Sequence, residues 1–266
     1  MGKLVSFWSP YPGHGKVTSS LCGIIGGFTL QYPELSLAVS HVRNDPVTLL
    51  RKLDSHAFLW QEKSLLDGFG IAALKMYERQ KVLSFDNIRR CGLPLYDKSV
   101  YFYPNVTRNG WNDILTFQVL TKQLRKEFEI VLLDLGSGNK EDVLQYMQES
   151  DYVVVVLPQD PYYADCFLQK EESHMNNINY GIILGGCFGN SRYRSAYYKR
   201  KYGKKVSDKF LGEILWNADF FDAMSVGKTR DFFLRNNVPA KKEENYEFII
   251  QIKKTTERIQ EKLLYL

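Results

Sequence analysis

Two segments limit the fold of this chain more than any others. "EIVLLDLGSG" (129–138) is apolar from Ile130 to Leu133 and stops at Asp134 and Gly136. "DYVVVVLPQD" (151–160) is apolar from Tyr152 to Leu157 and stops at Pro158. A strand with one wet face alternates polar and apolar residues. These two do not, and their β-branched content is that of strands buried on both faces, as in a parallel sheet covered by helices. Shorter runs fit the same role: Leu4–Trp8, Leu37–Ser40, Val100–Tyr103, Ile182–Leu184 and Gly212–Leu215. Helix-length segments lie between them, among them Val17–Gln31, Gly70–Gln80 and Asn112–Phe128. The last carries apolar residues at Ile114, Leu115, Val119 and Leu124. The pattern predicts one α/β domain over residues 1–266: a mostly parallel, doubly wound sheet with helices on both faces. The stretch 50–94 is too irregular to assign beyond its one helix.

Composition agrees with this class. The chain has 266 residues, 44% hydrophobic and 24% charged, as ordinary globular domains have. A net charge of +5 is too small to imply nucleic acid by itself. The 17 Tyr and 16 Phe call for either a heavy aromatic core or a sticky surface. Cys22, Cys91, Cys166 and Cys187 form no CxxC pair; Cys22, Cys166 and Cys187, with apolar neighbours, read as buried free thiols, Cys91 between Arg90 and Gly92 is left unassigned, and the pattern favours a reducing compartment. The N-terminus lacks the apolar core of a signal peptide, and no run approaches membrane-spanning length. The expected location is cytoplasmic, with a peripheral position at the inner face of the membrane as a variant of it.

After the first strand comes "SPYPGHGKVTSS" (9–20). A strand, a Gly-rich loop, then Lys and a helix is an arrangement that wraps phosphates. Glycines let backbone N–H groups converge on anionic oxygens, the helix N-terminus adds its positive end, and the lysine reaches the outer phosphates. Gly13, Gly15 and Lys16 supply these parts. A plain strand-to-helix turn with an incidental lysine would also fit so short a motif. Its place, after the first strand and at the sheet edge that also ends in Asp134, favours the phosphate reading.

At this point the chain resembles the deviant P-loop ATPases of the ParA and MinD type. Residues 11–18, Y-P-G-H-G-K-V-T, stand in the register of that family's K-G-G-x-G-K-T-T loop. "IVLLDLGSGNKEDVLQYMQESDYVVVVLPQD" is similar to its strand ending in Asp, its D-x-P-x-G-like turn and its next strand ending in Pro. "FLGEILWNADFFDAMSVGKTRDF" is similar to its late L-G-x-I-P-x-[DN] segment. Among subfamilies the sequence most resembles the CpaE and TadZ pilus-assembly localisers, without the receiver-like N-terminal domain usual there. The resemblance implies ATP or ADP as ligand, with or without Mg2+, and a homodimer serving a localisation, secretion or pilus machine. It implies amides of Gly13 and Gly15 around the phosphates and Lys16 on the outer ones, with Val17 counted in the same nucleotide-binding loop and His14 there either as an imidazolium facing an anion or as an exposed loop side chain. Thr18 would lie on the inner phosphate, Asp134 on the metal through water, and Leu215–Asn217, Asn217 in particular, near the base.

Four departures separate the chain from that pattern. Tyr11 replaces the lysine that reaches the partner's nucleotide. Val17 replaces the threonine that ligates Mg2+. Ser40 and Val42 stand where Asp-x-Asp would position the attacking water, with Asn44 or Asp45 as candidate substitutes. Gly185-Gly186 replaces an asparagine that reads adenine. Phosphoryl transfer needs bridging metal, charge neutralisation and an oriented water. The expectation is therefore weak nucleotide binding with little or no hydrolysis. A binding module without enzymatic function, recruiting a pilus or secretion apparatus, and an active ATPase with relocated residues are the alternatives.

Two further features carry charge or amphipathicity. His14, His41, His56 and His174 are scattered without metal-ligand spacing. "NSRYRSAYYKRKYGKK" (190–205) holds Arg192, Arg194, Lys199, Arg200, Lys201, Lys204 and Lys205, seven cations and no acid, interleaved with tyrosines. It reads equally as a solvated basic face or as a grip on DNA or an anionic membrane surface. The C-terminal stripe Phe248, Ile249, Ile252, Ile259, Leu263 and Leu266 reads as a final helix packed on the sheet. The resemblance offers a membrane-binding helix as the other role.

Overall fold

The computed structural model describes residues 1–42, 48–56, 68–105, 114–139, 141, 143–171, 175 and 177–266. In chain order the elements are β1 (Lys3–Ser9), α1 (Val17–Gln31), β2 (Leu37–His41), α2 (Thr48–Leu53), α3 (Gly70–Arg79), α4 (Phe85–Cys91), β3 (Leu93–Leu95) and β4 (Val100–Tyr103). Then come α5 (Ile114–Glu127), β5 (Ile130–Ser137), α6 (Leu144–Glu149), β6 (Tyr152–Pro158), α7 (Pro161–Cys166), β7 (Tyr180–Cys187), α8 (Ser195–Tyr202) and α9 (Lys204–Ser207). The chain ends with β8 (Phe210–Leu215), α10 (Ala218–Ser225), α11 (Thr229–Arg235) and α12 (Tyr246–Leu264).

The strands form an eight-stranded sheet in the order β3-β4-β2-β5-β1-β6-β7-β8. All neighbours are parallel except β3, which runs antiparallel to β4 at the edge. The two continuously apolar runs are β5 and β6, flanking β1 at the centre. Their burial on both faces removes any reason to alternate. β5 continues past Asp134 to Ser137, and a register shift in β1 between Phe7 and Trp8 accommodates the extension. The predicted fold class is the one observed.

Helices α1, α11 and α12 cover one face, while α5 and α6 pack against β1 and β5 from the other. Close approach on the first face is built into α1. A Cβ on Gly26 would lie 2.1 Å from the ring of Phe233, and one on Gly27 2.1 Å from Thr256 Oγ1. Phe220, Phe232, Phe233 and Phe248 stack where α10, α11 and α12 meet, with centroids between 4.9 Å and 6.5 Å apart. Much of the Phe content is thus core.

The C-terminal stripe packs inward. Phe248, Ile249, Ile252, Ile259 and Leu263 are buried against β8 and α1, and Leu266, past the helix end, is exposed. Cys22, Cys91 and Cys187 are buried free thiols; burial raises Cys22 to about 12 and Cys91 to about 11. Positions 112 and 113 of the helix expected over 112–128 lie outside the described residues. No described helix is long and apolar enough to cross a membrane.

The packing of α1 reverses an ordinary rule. Gly→Ala in a helix interior normally stabilises by about 0.5–1 kcal/mol. Gly26→Ala drives its methyl into a rigid ring, so it destabilises by about 1–3 kcal/mol. Gly23→Ala meets only the flexible tip of Ile252, at 2.8 Å, and costs less. Chemical denaturation of the two variants checks the order.

Candidate functional site

The site lies at the carboxyl edge of the central strands. Because β1 runs between β5 and β6, the loop that follows Ser9 faces Asp134 on one side and the end of β7 on the other. Thr18, in the first turn of α1, donates its hydroxyl to Asp134 Oδ2 at 2.7 Å. Asp134 Oδ1 accepts the Gly136 N–H, also at 2.7 Å, and the carboxylate is buried. Val17, at the first position of the same helix, is buried in the hydrophobic core. On the β7 side, a Cβ at Gly185 would lie 2.7 Å from Gly15 O and 3.0 Å from Ser20 Oγ. The Gly185-Gly186 pair therefore leaves room for the loop; a larger side chain would collide with it.

The loop itself is a closed turn. Gly13 has φ 76°, and Lys16 is left-handed at φ 56°, ψ 35°. The N–H groups of His14 and Gly15 both donate to the Tyr11 carbonyl at 3.2 Å. Gly13, His14 and Lys16 are exposed. Tyr11 leans on Tyr163 of α7, ring centroids 4.7 Å apart, and donates its hydroxyl to the Tyr163 carbonyl at 2.8 Å. His14 stacks on the same ring at 5.0 Å and 28°. Sequence reasoning missed Tyr163. Asp160 and Pro161 mark a helix start, and Asp160 does accept the Tyr162 N–H at 2.9 Å, but nothing local says which way Tyr163 faces.

At the end of β2, Ser40 donates to the Tyr103 carbonyl at 2.7 Å in a buried bond, and His41 stacks on Phe102. Val42 donates to Asp134 O at 3.0 Å through its backbone. Asn44, Asp45 and His174 lie outside the described residues. Among the described residues no group of three or more His, Cys, Asp or Glu forms a metal cage.

Beyond β7 and β8 the edge is aromatic. Phe188 and Trp216 are exposed and stacked, 6.4 Å and 25° apart. Gln159 clips the Phe188 backbone, accepting its N–H at 3.0 Å and donating to its carbonyl at 3.1 Å. Asn217 caps α10, accepting the Phe220 N–H at 2.7 Å, and donates to Asn245 Oδ1 at 2.7 Å. Its side chain is thus committed to the fold on both ends.

The basic segment divides into tied and open cations. Arg194 bonds Glu213 at 2.7 Å, Glu247 at 2.9 Å and Gly189 O at 3.0 Å, and Glu213 is buried. Lys201 pairs with Asp165 at 2.6 Å. Burial alone would raise the Asp165 carboxyl, yet Lys201 and the Tyr202 hydroxyl hold it below the usual range. Burial and nearby Arg258 hold Lys199 below the ordinary lysine value. Arg192, Arg200 and Lys204 are exposed, Arg192 over the ring of Tyr193 at 4.6 Å; the side chain of Lys205 lies outside the description.

A scan against models of known protein families finds no match, and a search of curated proteins finds none either. Solved structures do match. The ParA family ATPase from Chlorobium tepidum TLS superposes with a TM-score of 0.69 at 12% identity, over 97% of this chain and 99% of that one. A chain of the MinC:MinD cell division protein complex of Aquifex aeolicus gives 0.65 at 13% identity, over 98% and 96%. The septum site-determining protein MinD complexed with Mg-ADP from Pyrococcus horikoshii OT3 gives 0.63 at 14% identity, over 97% and 96%. The chain has the P-loop NTPase-like α/β fold of ParA and MinD structures along nearly its whole length.

The division of the basic segment is measurable as stability. Arg194→Ala removes the cation from the buried Glu213, which keeps its bonds from the Ser195 N–H at 2.7 Å and hydroxyl at 2.5 Å. Because Arg194 is a quarter exposed, the loss is about 2–3 kcal/mol, below the about 3–5 kcal/mol of a fully buried pair. Arg200→Ala stays within about 0.5 kcal/mol of wild type. Thermal or urea denaturation separates the two.

Proposed function

We propose that this chain is a ParA/MinD-type protein that binds ATP or ADP weakly, hydrolyses it little or not at all, and serves as a localisation or assembly factor. The observation that carries this is the contact of Thr18 with Asp134. It joins the first turn of the loop-following helix to the acidic strand end, 116 residues away, on one edge of the sheet. Lys16 is exposed beside it at the N-terminus of α1, where an anion is favoured. These groups fit a phosphate-bearing ligand. For Mg2+ the fit is poorer, since Asp134 and Thr18 offer two oxygens and Val17 offers none, whereas the ion takes near-octahedral oxygen ligation. Bound Mg2+ would neutralise charge on the outer phosphates.

Lys16 would hold the outer phosphates by charge and Thr18 would orient the inner one. Phe188 and Trp216 offer an aromatic face on which a base can stack. What is missing concerns the chemical step. Val17 is in the core, Ser40 is spent on Tyr103 O, and Tyr11 is engaged with its own chain's Tyr163 instead of a partner's nucleotide. Each such loss is worth about 2–4 kcal/mol of transition-state stabilisation by comparison with single electrostatic contacts. Ground-state binding suffers less.

In solution the reading is a homodimer whose formation depends little on nucleotide. Its setting is the cytoplasm or the inner face of the membrane, with a partner in a pilus or secretion machine as in CpaE and TadZ relatives. The exposed Arg192, Arg200 and Lys204 are the cations available to DNA or anionic lipid. A second reading, a binding module that takes no nucleotide, is favoured by the closed turn that occupies the His14 and Gly15 amides.

Titration with ADP and ATP, with and without Mg2+, decides between them. The proposal expects saturable binding that Mg2+ strengthens little, abolished by Lys16→Ala and weakened about 5- to 20-fold by Trp216→Ala. Val17→Thr gains Mg2+-linked affinity without phosphate release in single turnover. No binding by wild type leaves the module reading; turnover like that of ordinary ParA ATPases overturns the impaired-site account.

Association with a polyanion is tested separately. Arg192, Arg200 and Lys204 changed together to Glu should abolish binding to duplex DNA or anionic vesicles, and wild-type affinity should fall steeply as salt rises. Lys201→Glu, which removes a cation already paired with Asp165, should do less. Binding that ignores both salt and the triple variant would exclude this surface.

A further inference from the structure

The proposed phosphate loop is fastened shut by one residue outside it. Tyr163, on α7, receives three contacts from the loop: the Tyr11 hydroxyl on its carbonyl at 2.8 Å, the Tyr11 ring at 4.7 Å and the His14 ring at 5.0 Å. Tyr11 in turn supplies the carbonyl that takes up the His14 and Gly15 N–H groups. Two amides that would face an anion are therefore turned onto the loop's own backbone. The residue that holds them there is itself held by Tyr163. We propose that Tyr163 is a positioning residue, a latch that keeps the loop closed in the ligand-free protein and must release before a phosphate-bearing ligand can be seated.

The physical argument is one of competing partners. A phosphate oxygen and the Tyr11 carbonyl both accept from the His14 and Gly15 amides, and each N–H has one strong bond to give. A ligand that uses these amides has to displace Tyr11 O, which moves Tyr11 and loosens its bond to Tyr163. The apparent dissociation constant is then the intrinsic one divided by the fraction of molecules with the loop open. α7 is anchored independently of the loop: Asp160 caps it, and Tyr198 donates to the Gln159 carbonyl at 2.7 Å just before it. The latch thus has a fixed side and a mobile side.

This inference rests on the proposed nucleotide site for its ligand, but its test has an arm that needs none. Amide exchange at His14 and Gly15 is measured in the ligand-free protein, followed by ADP titration of the same samples. Tyr163→Ala removes both ring contacts while keeping the carbonyl that Tyr11 bonds, and should speed exchange at both amides about tenfold. It should also tighten ADP binding about tenfold, since a larger fraction is open. Tyr11→Phe keeps the ring and loses only the hydroxyl bond to α7. It should shift both readouts the same way by about threefold, and it decides the matter if Tyr163→Ala does not fold. Unchanged exchange, or weaker ADP binding with faster exchange, would overturn the latch. Absence of ADP binding in wild type and variants alike would fall on the nucleotide proposal, while exchange still decides whether Tyr163 holds the turn.

Discussion

The parallel pairing of β1 with β5 on one side and β6 on the other is the constraint on which the candidate site depends. The ladder sets Phe7 opposite Asp134 and opposite Val154, so three strand ends reach the same edge together. Thr18 meets Asp134 because α1 starts from that edge. The end of β7 can come up to the loop only because Gly185 has no side chain. Both faces of these strands are apolar and covered, so a slip in register would cost buried area on each. The polar groups at the edge inherit their positions from an apolar core.

In the register of the ParA/MinD-type loop that the sequence resembles, two positions carry an aromatic and an apolar residue in place of a lysine and a threonine. Tyr11 stands in the place of a lysine that would act across a dimer, and it is absorbed into contacts with its own α7. Val17 stands in the place of a metal-binding hydroxyl, and it is absorbed into the core. Both side chains are engaged within the chain itself. Phe188 and Trp216 contrast with them as two exposed aromatic rings stacked on one another at the same edge. On the proposed reading, such a site serves recognition more than turnover.

How much of this could be read from the sequence follows from how local each signal is. β5 and β6 were legible because burial on two faces writes itself into consecutive residues. β3 was not, since Leu93–Leu95 is three residues long and includes a proline. The loop, Lys16 and the acidic strand end were legible through their spacing and order. The Tyr11–Tyr163 contact was not, because its members are 152 residues apart and neither carries a mark of the other. The basic run at 190–205 was legible as charge. The acids that neutralise part of it, Asp165, Glu213 and Glu247, lie elsewhere in the chain, so only the fold separates Arg194 and Lys201 from Arg192, Arg200 and Lys204.

A crystal structure of the protein grown with excess ADP tests the central claim most directly. The account predicts the diphosphate beside Lys16 and the N-terminus of α1, with the His14 and Gly15 amides turned from the Tyr11 carbonyl to phosphate oxygens and the base against Trp216. A loop still closed on Tyr11, with no nucleotide at the carboxyl edge of β1, would contradict it.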